Sequence, residues 1–196
     1  MAIEDYHEHL ELEQQNAAAH QTSRWLAKDV LLPLASGGSF LELGCGAGRN
    51  LKALHDADPE VSLQGVDINA NAIASAGRHV PAANLKTGSL YELGEHPDDA
   101  FDVVYTSGVL MHVPHGEVEA TVREMHRLAR LAVVHLELHG PSHGFDFHRY
   151  PRDYAALYER IDMPVDVSYE SFPPPDFRSV GTESFCLSLL VAKKRA

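Results

Sequence analysis

The stretch Leu41-Glu42-Leu43-Gly44-Cys45-Gly46-Ala47-Gly48-Arg49-Asn50 decides the fold. It is preceded by Ser39-Phe40, so a short apolar run closes on Gly44, the pattern of a buried strand. A helical pattern over Arg49 to Ala57 follows. Glycine lets the backbone turn tightly and lets a ligand come where a Cβ would block it. In an open α/β sheet, ligands sit beyond the carboxyl ends of the strands, and the first strand-to-helix loop is where a nucleotide-like group lies.

The spacing within the loop discriminates between ligands. A dinucleotide fingerprint runs G-x-G-x-x-G, with a pyrophosphate on the helix N-terminus. Here the glycines run G-x-G-x-G, the third one residue early. Glu42 stands inside the strand end, where a pyrophosphate is repelled and a cationic sulfonium or amine is welcome. About 20 residues on, Gly65-Val66-Asp67-Ile68 ends a second strand, and a carboxylate at that place can accept from both ribose hydroxyls.

Working outward, the chain alternates. Glu4 to Ala35 reads as helical, with a break near Thr22-Ser23 where a hydroxyl would cap a second helix. Strands are expected at Ser39 to Leu43, Val61 to Val66, Asn84 to Thr87, Phe101 to Thr106 and Leu131 to Leu138, then Val165 to Phe172 and Phe185 to Ala192. Helices are expected at Arg49 to Ala57, Ala70 to His79 and Glu117 to Arg130, the last with Val118, Val122 and Met125 on one face. Another begins at Pro151, a residue suited to a first turn, and runs to Ile161. Alternating strands and helices imply an α/β fold with a mostly parallel sheet covered on both faces. No helix separates the last two strands, so the final strand should run antiparallel.

With these segments in place a resemblance becomes specific. Glu42-Leu-Gly-Cys-Gly-Ala-Gly48 resembles the first motif of class I S-adenosylmethionine-dependent methyltransferases, and Gly65-Val-Asp-Ile68 resembles their second. Gly88-Ser89-Leu90 is similar to the segment bordering the adenine, and Phe101 to Pro114 to the fourth-strand motif. The resemblance runs from Phe40 to Leu138. It implies a Rossmann-like methyltransferase fold with a seven-stranded sheet, as one domain over residues 1–196: an N-terminal helical cap at 1–36 and a core at 37–196. It implies S-adenosylmethionine as cofactor, contacted by Glu42, Gly44, Cys45, Gly46, Gly48, Asn50, Asp67, Ile68, Gly88, Ser89, Leu90, Thr106 and Ser107. A Lys-Pro-Gly-Gly turn common before the fifth strand is missing from Arg127 to His135. That feature, with Thr106 to Leu110, resembles methylases associated with pseudaminic acid biosynthesis and points to a sugar or another polar metabolite.

Methyl transfer needs an acceptor held in line with the methyl carbon at roughly 3–3.5 Å. A base is needed only where the acceptor must lose a proton. Candidates lie beyond strands four and five: His112 after the fourth-strand motif, and Glu137 and His139 at the end of the fifth. His139 is the preferred base and His112 a support for loop and cofactor. Gly140 to Tyr150, with His143 and His148, would wall the acceptor pocket. Tyr6, His7 and Trp25 could close over the cofactor as a lid. His135, His139 and His143 are spaced by four, but they straddle a strand end and a Gly-Pro turn, and no zinc pattern is present, so no metal is expected.

Composition bounds the partners. Lys and Arg number 16 against 28 Asp plus Glu, for a net charge of −12. Nucleic acid is bound by neutralising phosphates with cations, so it is not expected as a partner. No stretch approaches the roughly 20 apolar residues of a membrane helix. The acidic Met1 to Glu13 lacks the order of a signal peptide, and Cys45 and Cys186 make no disulfide framework. A cytoplasmic monomer or homodimer, with no membrane partner, is the expectation. The competing readings are a protein or peptide methyltransferase, a non-catalytic S-adenosylmethionine-binding protein, and a nucleotide-dependent oxidoreductase. Acceptor assays, cofactor binding without turnover, and absorbance changes with NAD(P)H separate them.

Overall fold

The computed structural model describes residues 20–138, 150, 152–172 and 187–195. Its centre is a seven-stranded sheet in the order β3-β2-β1-β4-β5-β7-β6. The strands are β1 Ser39–Leu43, β2 Ser62–Asp67, β3 Asn84–Thr87, β4 Phe101–Ser107, β5 Ala129–Leu138, β6 Val165–Phe172 and β7 Leu187–Lys194. β1 pairs in parallel with β2 and β4, β2 with β3, and β4 with β5. β7 runs antiparallel to both β5 and β6, as the absence of a helix before it implies. The alternation of elements predicts the mostly parallel sheet, and the strand order is the Rossmann-like methyltransferase arrangement that the resemblance implies.

The central strands are buried on both faces, which is why they read as near-continuous apolar runs. Phe101 to Thr106 of β4 is buried throughout. The helices are α1 Leu26–Leu31 (π-helical, continuing helical residues 20–25), α2 Arg49–Ala57, α3 Ala70–His79, α4 Val118–Leu128 and α5 Tyr154–Ile161. On one face, Leu26 and Leu31 of α1 and Leu51 and Leu54 of α2 pack with Phe40, Val103 and Val134. On the other, Met125 and Leu128 of α4 pack with Leu41, Leu43, Val104 and Val133. Met125 is fully buried, so Met125→Ala would cost about 2–5 kcal/mol.

Several boundaries differ from the sequence expectation, and three of the differences have a local reason. There is no helix break at Thr22-Ser23: residues 20–25 are continuous helix, and the Ser23 hydroxyl donates to Asn50 Oδ1 at 2.6 Å across the chain instead of capping. Helix α4 stops at Leu128 and β5 starts at Ala129, whose extended backbone (φ −84°, ψ 131°) leads straight into the strand. Helix α5 starts at Tyr154 because Asp153 caps it, its side chain accepting the Ala156 N–H at 3.0 Å. No described helix is long and apolar enough to cross a membrane.

Candidate active site

The strand order reverses between β1 and β4, and in this topology the crevice beyond the carboxyl ends at such a point receives the ligand. A cleft of about 440 Å³ lies there. Its wall takes Gly44 after β1, Val66, Asp67 and Ile68 from the end of β2, and Gly88 to Tyr91 after β3. Ser107, Gly108, Val109, His112 and Val113 come from the end of β4 and the 3₁₀ turn at Leu110–His112.

The glycine loop is shaped for this crevice. Gly44 and Gly46 have φ of +72° and +53°, the left-handed region that other residues avoid. A Cβ on Gly44 would lie 2.4 Å from a Val109 methyl, so this glycine lets the β1 and β4 loops approach. A Cβ on Gly46 would meet no protein atom within 4 Å, so space lies open beside it. The Gly46 N–H donates to Asp67 Oδ2 at 2.8 Å, and the Asn69 N–H donates to Oδ1 at 2.8 Å. Each carboxylate oxygen has two acceptor sites, so Asp67 is fixed by the backbone and keeps capacity for two hydroxyl donors. Ile68 beside it is 80% exposed, an apolar shelf in the cleft wall.

Glu42 stands elsewhere than expected. It is buried below the loop and absent from the cleft wall, accepting from Asn50 Nδ2 at 2.6 Å and Tyr105 Oη at 3.2 Å. Asn50 passes the connection to Ser23, which also accepts from Arg49 Nε at 3.2 Å. This network ties β1 and β4 to the start of α2 and to the N-terminal helix. Burial pushes the Glu42 carboxyl up to about 8, against the opposing pull of its bonds from Asn50 and Tyr105. The Cys45 thiol is pushed up to about 12, also by burial.

Glu137 is likewise fully buried and off the cleft wall. It accepts the Val109 N–H at 3.0 Å and the Met111 N–H at 3.4 Å, so it anchors the turn that carries His112. Burial raises its pKa, while those backbone bonds and the Thr106 hydroxyl lower it. Thr106 Oγ1 lies 3.1 Å from His135 Nδ1, and His135 Nε2 lies 2.8 Å from the Tyr158 hydroxyl. That hydroxyl is in turn 2.9 Å from His126 Nε2. If Thr106 donates to Glu137, each earlier hydrogen must point the same way, from His126 through Tyr158 and His135 towards the carboxylate. Burial holds His135 down at about 3 and His126 at about 4, so both rings are neutral near pH 7.

Of the expected site residues, the cleft brings together Gly44, Asp67, Ile68, Gly88, Ser89, Leu90, Ser107 and His112. Glu42, Cys45, Gly46, Gly48, Asn50, Thr106 and Glu137 are not on its wall, and Gly48 lines a separate cleft with Ser23 and Arg49. His139, His143 and His148, like Tyr6 and His7, fall outside the described residues. Val66, Tyr91, Gly108, Val109 and Val113 line the cleft without having been expected. Val109 and Val113 belong to the fourth-strand motif; Tyr91 adjoins Leu90, and only that neighbour marks it. Among the described residues no group of three His, Cys, Asp or Glu is placed to hold a metal.

Comparison with known proteins agrees with this geometry. The family described as a methyltransferase domain matches residues 40–131. Trans-aconitate 2-methyltransferase of Methylobacterium nodulans is 30% identical over 91 residues, 45% of this chain and 34% of that enzyme. Ribosomal RNA small subunit methyltransferase C of Shewanella baltica is 48% identical over 60 residues, 31% of this chain and 17% of that one. The chain thus matches about a third or less of the length of these curated relatives. Magnesium protoporphyrin IX methyltransferase of Synechocystis, solved with S-adenosylmethionine bound, superposes with a TM-score of 0.67 at 21% identity, covering 91% of this chain and 81% of that one. Over residues 40–131 the chain is similar in sequence to methyltransferase domains, and its sheet has the Rossmann-like fold of the solved methyltransferase.

Proposed function

We propose that the chain transfers a methyl group from S-adenosylmethionine to a small polar acceptor bound beside the 3₁₀ turn. The observation that carries the reading is Asp67, held by two backbone N–H donors on the wall of a cleft at the strand-order reversal. The site suits the cofactor: open space beside Gly46 in the glycine loop and, on the cleft wall, a preset carboxylate for the ribose hydroxyls with apolar Ile68 and Leu90 for the adenine. When bound, the cofactor supplies the methyl group and the leaving group. The protein's part is to hold the acceptor in line and exclude water.

Glu137 fixes the turn and is not available as a base. His112, on the cleft wall, and His139 are the groups proposed to take a proton where the acceptor is a hydroxyl. An acceptor that is already a carboxylate or a neutral amine needs neither. The trans-aconitate methyltransferases name a small molecule as their substrate, which supports this class. The resemblance of the fourth-strand motif to sugar-associated methylases supports a polar metabolite.

A second reading, ribosomal RNA as acceptor, has the 60-residue match in its favour. The excess of 28 acidic over 16 basic residues speaks against it. The test is labelled methyl transfer from S-adenosylmethionine to pooled metabolites, ribosomal RNA and peptides in parallel. A metabolite gaining one methyl group supports the proposal. Label in RNA or peptide alone overturns it.

A further inference from the structure

We propose that the Arg152 guanidinium and the Tyr154 hydroxyl form a subsite for a carboxylate of the acceptor, at the Val113 end of the cleft. The proposal rests on the small-molecule reading and deepens it to a substrate class, carboxylic acids.

Arg152 is 7% exposed and Tyr154 is fully buried. The guanidinium has five N–H donors, and its one hydrogen-bond partner among the described residues is the Val113 carbonyl, 2.5 Å from Nη2. Nε and Nη1 of Arg152 and the Tyr154 hydroxyl have no hydrogen-bond partner among the described residues. Buried polar groups are nearly always paired, and a buried charge without a partner is costly. None of the ion pairs among the described residues includes Arg152. Glu137 lies within electrostatic reach of Arg152, but its oxygens are committed to Val109 and Met111.

The place is right for an acceptor. Val113, which Arg152 grips, lines the cleft together with Tyr91 and His112. Tyr91 is also within electrostatic reach of the guanidinium. The Tyr150 N–H donates to the Met111 carbonyl at 2.6 Å, holding the chain just before Arg152 against the 3₁₀ turn. Arg152 therefore stands behind the Val113 end of the cleft wall, with buried Tyr154 within electrostatic reach of it.

The chemistry selects a carboxylate. Nη2 keeps a second hydrogen beside the one given to Val113, so the guanidinium can meet two oxygens of one planar anion. The Tyr154 hydroxyl adds a third donor. A planar carboxylate matches the guanidinium's donor fork and brings less negative charge into this buried place than a phosphate dianion would. An amide or ester in the same place would leave the guanidinium uncompensated, so the site should reject neutral analogues.

The test is calorimetry on the full chain saturated with S-adenosylhomocysteine. The probes are acetate, succinate and tricarballylate, each against its amide. At least one carboxylate is expected to bind about 10-fold or more tighter than its amide, as for bonds to a charged group. Tyr154→Phe removes a hydroxyl that no described protein group uses, so fold and S-adenosylhomocysteine affinity should hold while carboxylate affinity drops by about 10-fold. A purely structural Tyr154 predicts no such drop. Arg152→Gln should abolish the preference for the acid; if that variant does not fold, Tyr154→Phe decides. Equal binding of acids and amides, or unchanged carboxylate affinity in Tyr154→Phe, overturns the subsite while leaving the small-molecule reading intact. Methyl transfer confined to RNA or peptide in the parallel assay overturns both.

Discussion

The Asp67 carboxylate accepts the Gly46 N–H at 2.8 Å, joining the end of β2 to the middle of the glycine loop. One side chain therefore both shapes the loop and faces the cleft. Asp67→Ala should weaken S-adenosylhomocysteine binding by roughly 1.5–3 kcal/mol, the range for hydrogen bonds to a charged group. Calorimetry measures it, and a loss well under about 0.5 kcal/mol in a folded variant would remove Asp67 from the ribose site.

The two left-handed glycines should separate stability from binding. Gly44→Ala drives a Cβ to 2.4 Å from Val109, so its thermal midpoint should fall markedly. Gly46→Val meets no protein atom at its Cβ and should cost about 1–2 kcal/mol of backbone strain. Its main effect should be a loss of S-adenosylhomocysteine affinity, because the added side chain enters the open space beside the loop. Unchanged affinity in folded Gly46→Val would count against that placement.

Two buried groups set opposite slopes of stability against pH. Glu42, raised to about 8, keeps its proton in the folded chain above the pH where the unfolded chain loses it. Its contribution is complete below pH ~4.5 and is lost as pH rises through about 8. Glu42→Gln should therefore flatten the fall in thermal midpoint between about pH 5 and 8. An identical slope in the variant would mean Glu42 is ionised in the folded protein.

His135, depressed to about 3, acts in the other direction. Its contribution is present above the ordinary 6.5 and is lost as pH falls towards 3. His135→Gln can still bond Thr106 and Tyr158 but does not titrate, so it should lose less midpoint than wild type between about pH 6.5 and 4. An equal acid sensitivity would contradict the buried neutral ring.

His112 and Glu137 should differ in kinetics. His112→Ala should lower kcat by about 10²–10⁴-fold with a hydroxyl acceptor and leave cofactor affinity nearly unchanged. Glu137→Gln loosens the turn through Val109 and Met111, so it should lower cofactor affinity, acceptor affinity and thermal midpoint together. Steady-state kinetics with calorimetry on each variant distinguishes the two. A His112→Ala kcat within about threefold of wild type would exclude it as the base.

The sheet is legible in the sequence because its cues are local. Apolar runs closing on Gly44 and Asp67, and amphipathic spacing in α4, place most elements to within a residue or two. Thr22-Ser23 misleads because a hydroxyl looks the same whether it caps a helix or reaches Asn50 27 residues away. Pro151 misleads because the true cap, Asp153, stands two residues later. Glu42 and Glu137 stand out in the sequence, but their supporting roles do not. Their burial, and the donors that claim their oxygens, come from distant elements. Tyr154 shares the helical spacing of Leu157, Tyr158 and Ile161 and so reads as core, Arg152 belongs to no repeating pattern, and their lack of partners among the described residues emerges only once α5 has packed.

The most direct test is titration of S-adenosylhomocysteine into the wild-type chain and Asp67→Ala, followed by methyl transfer from labelled S-adenosylmethionine to pooled metabolites. The account expects saturable binding by wild type, weakening of about 10-fold or more in the variant, and label in a small molecule. No saturable binding by wild type, or equal affinity in folded Asp67→Ala, would contradict the assignment of this cleft to the cofactor.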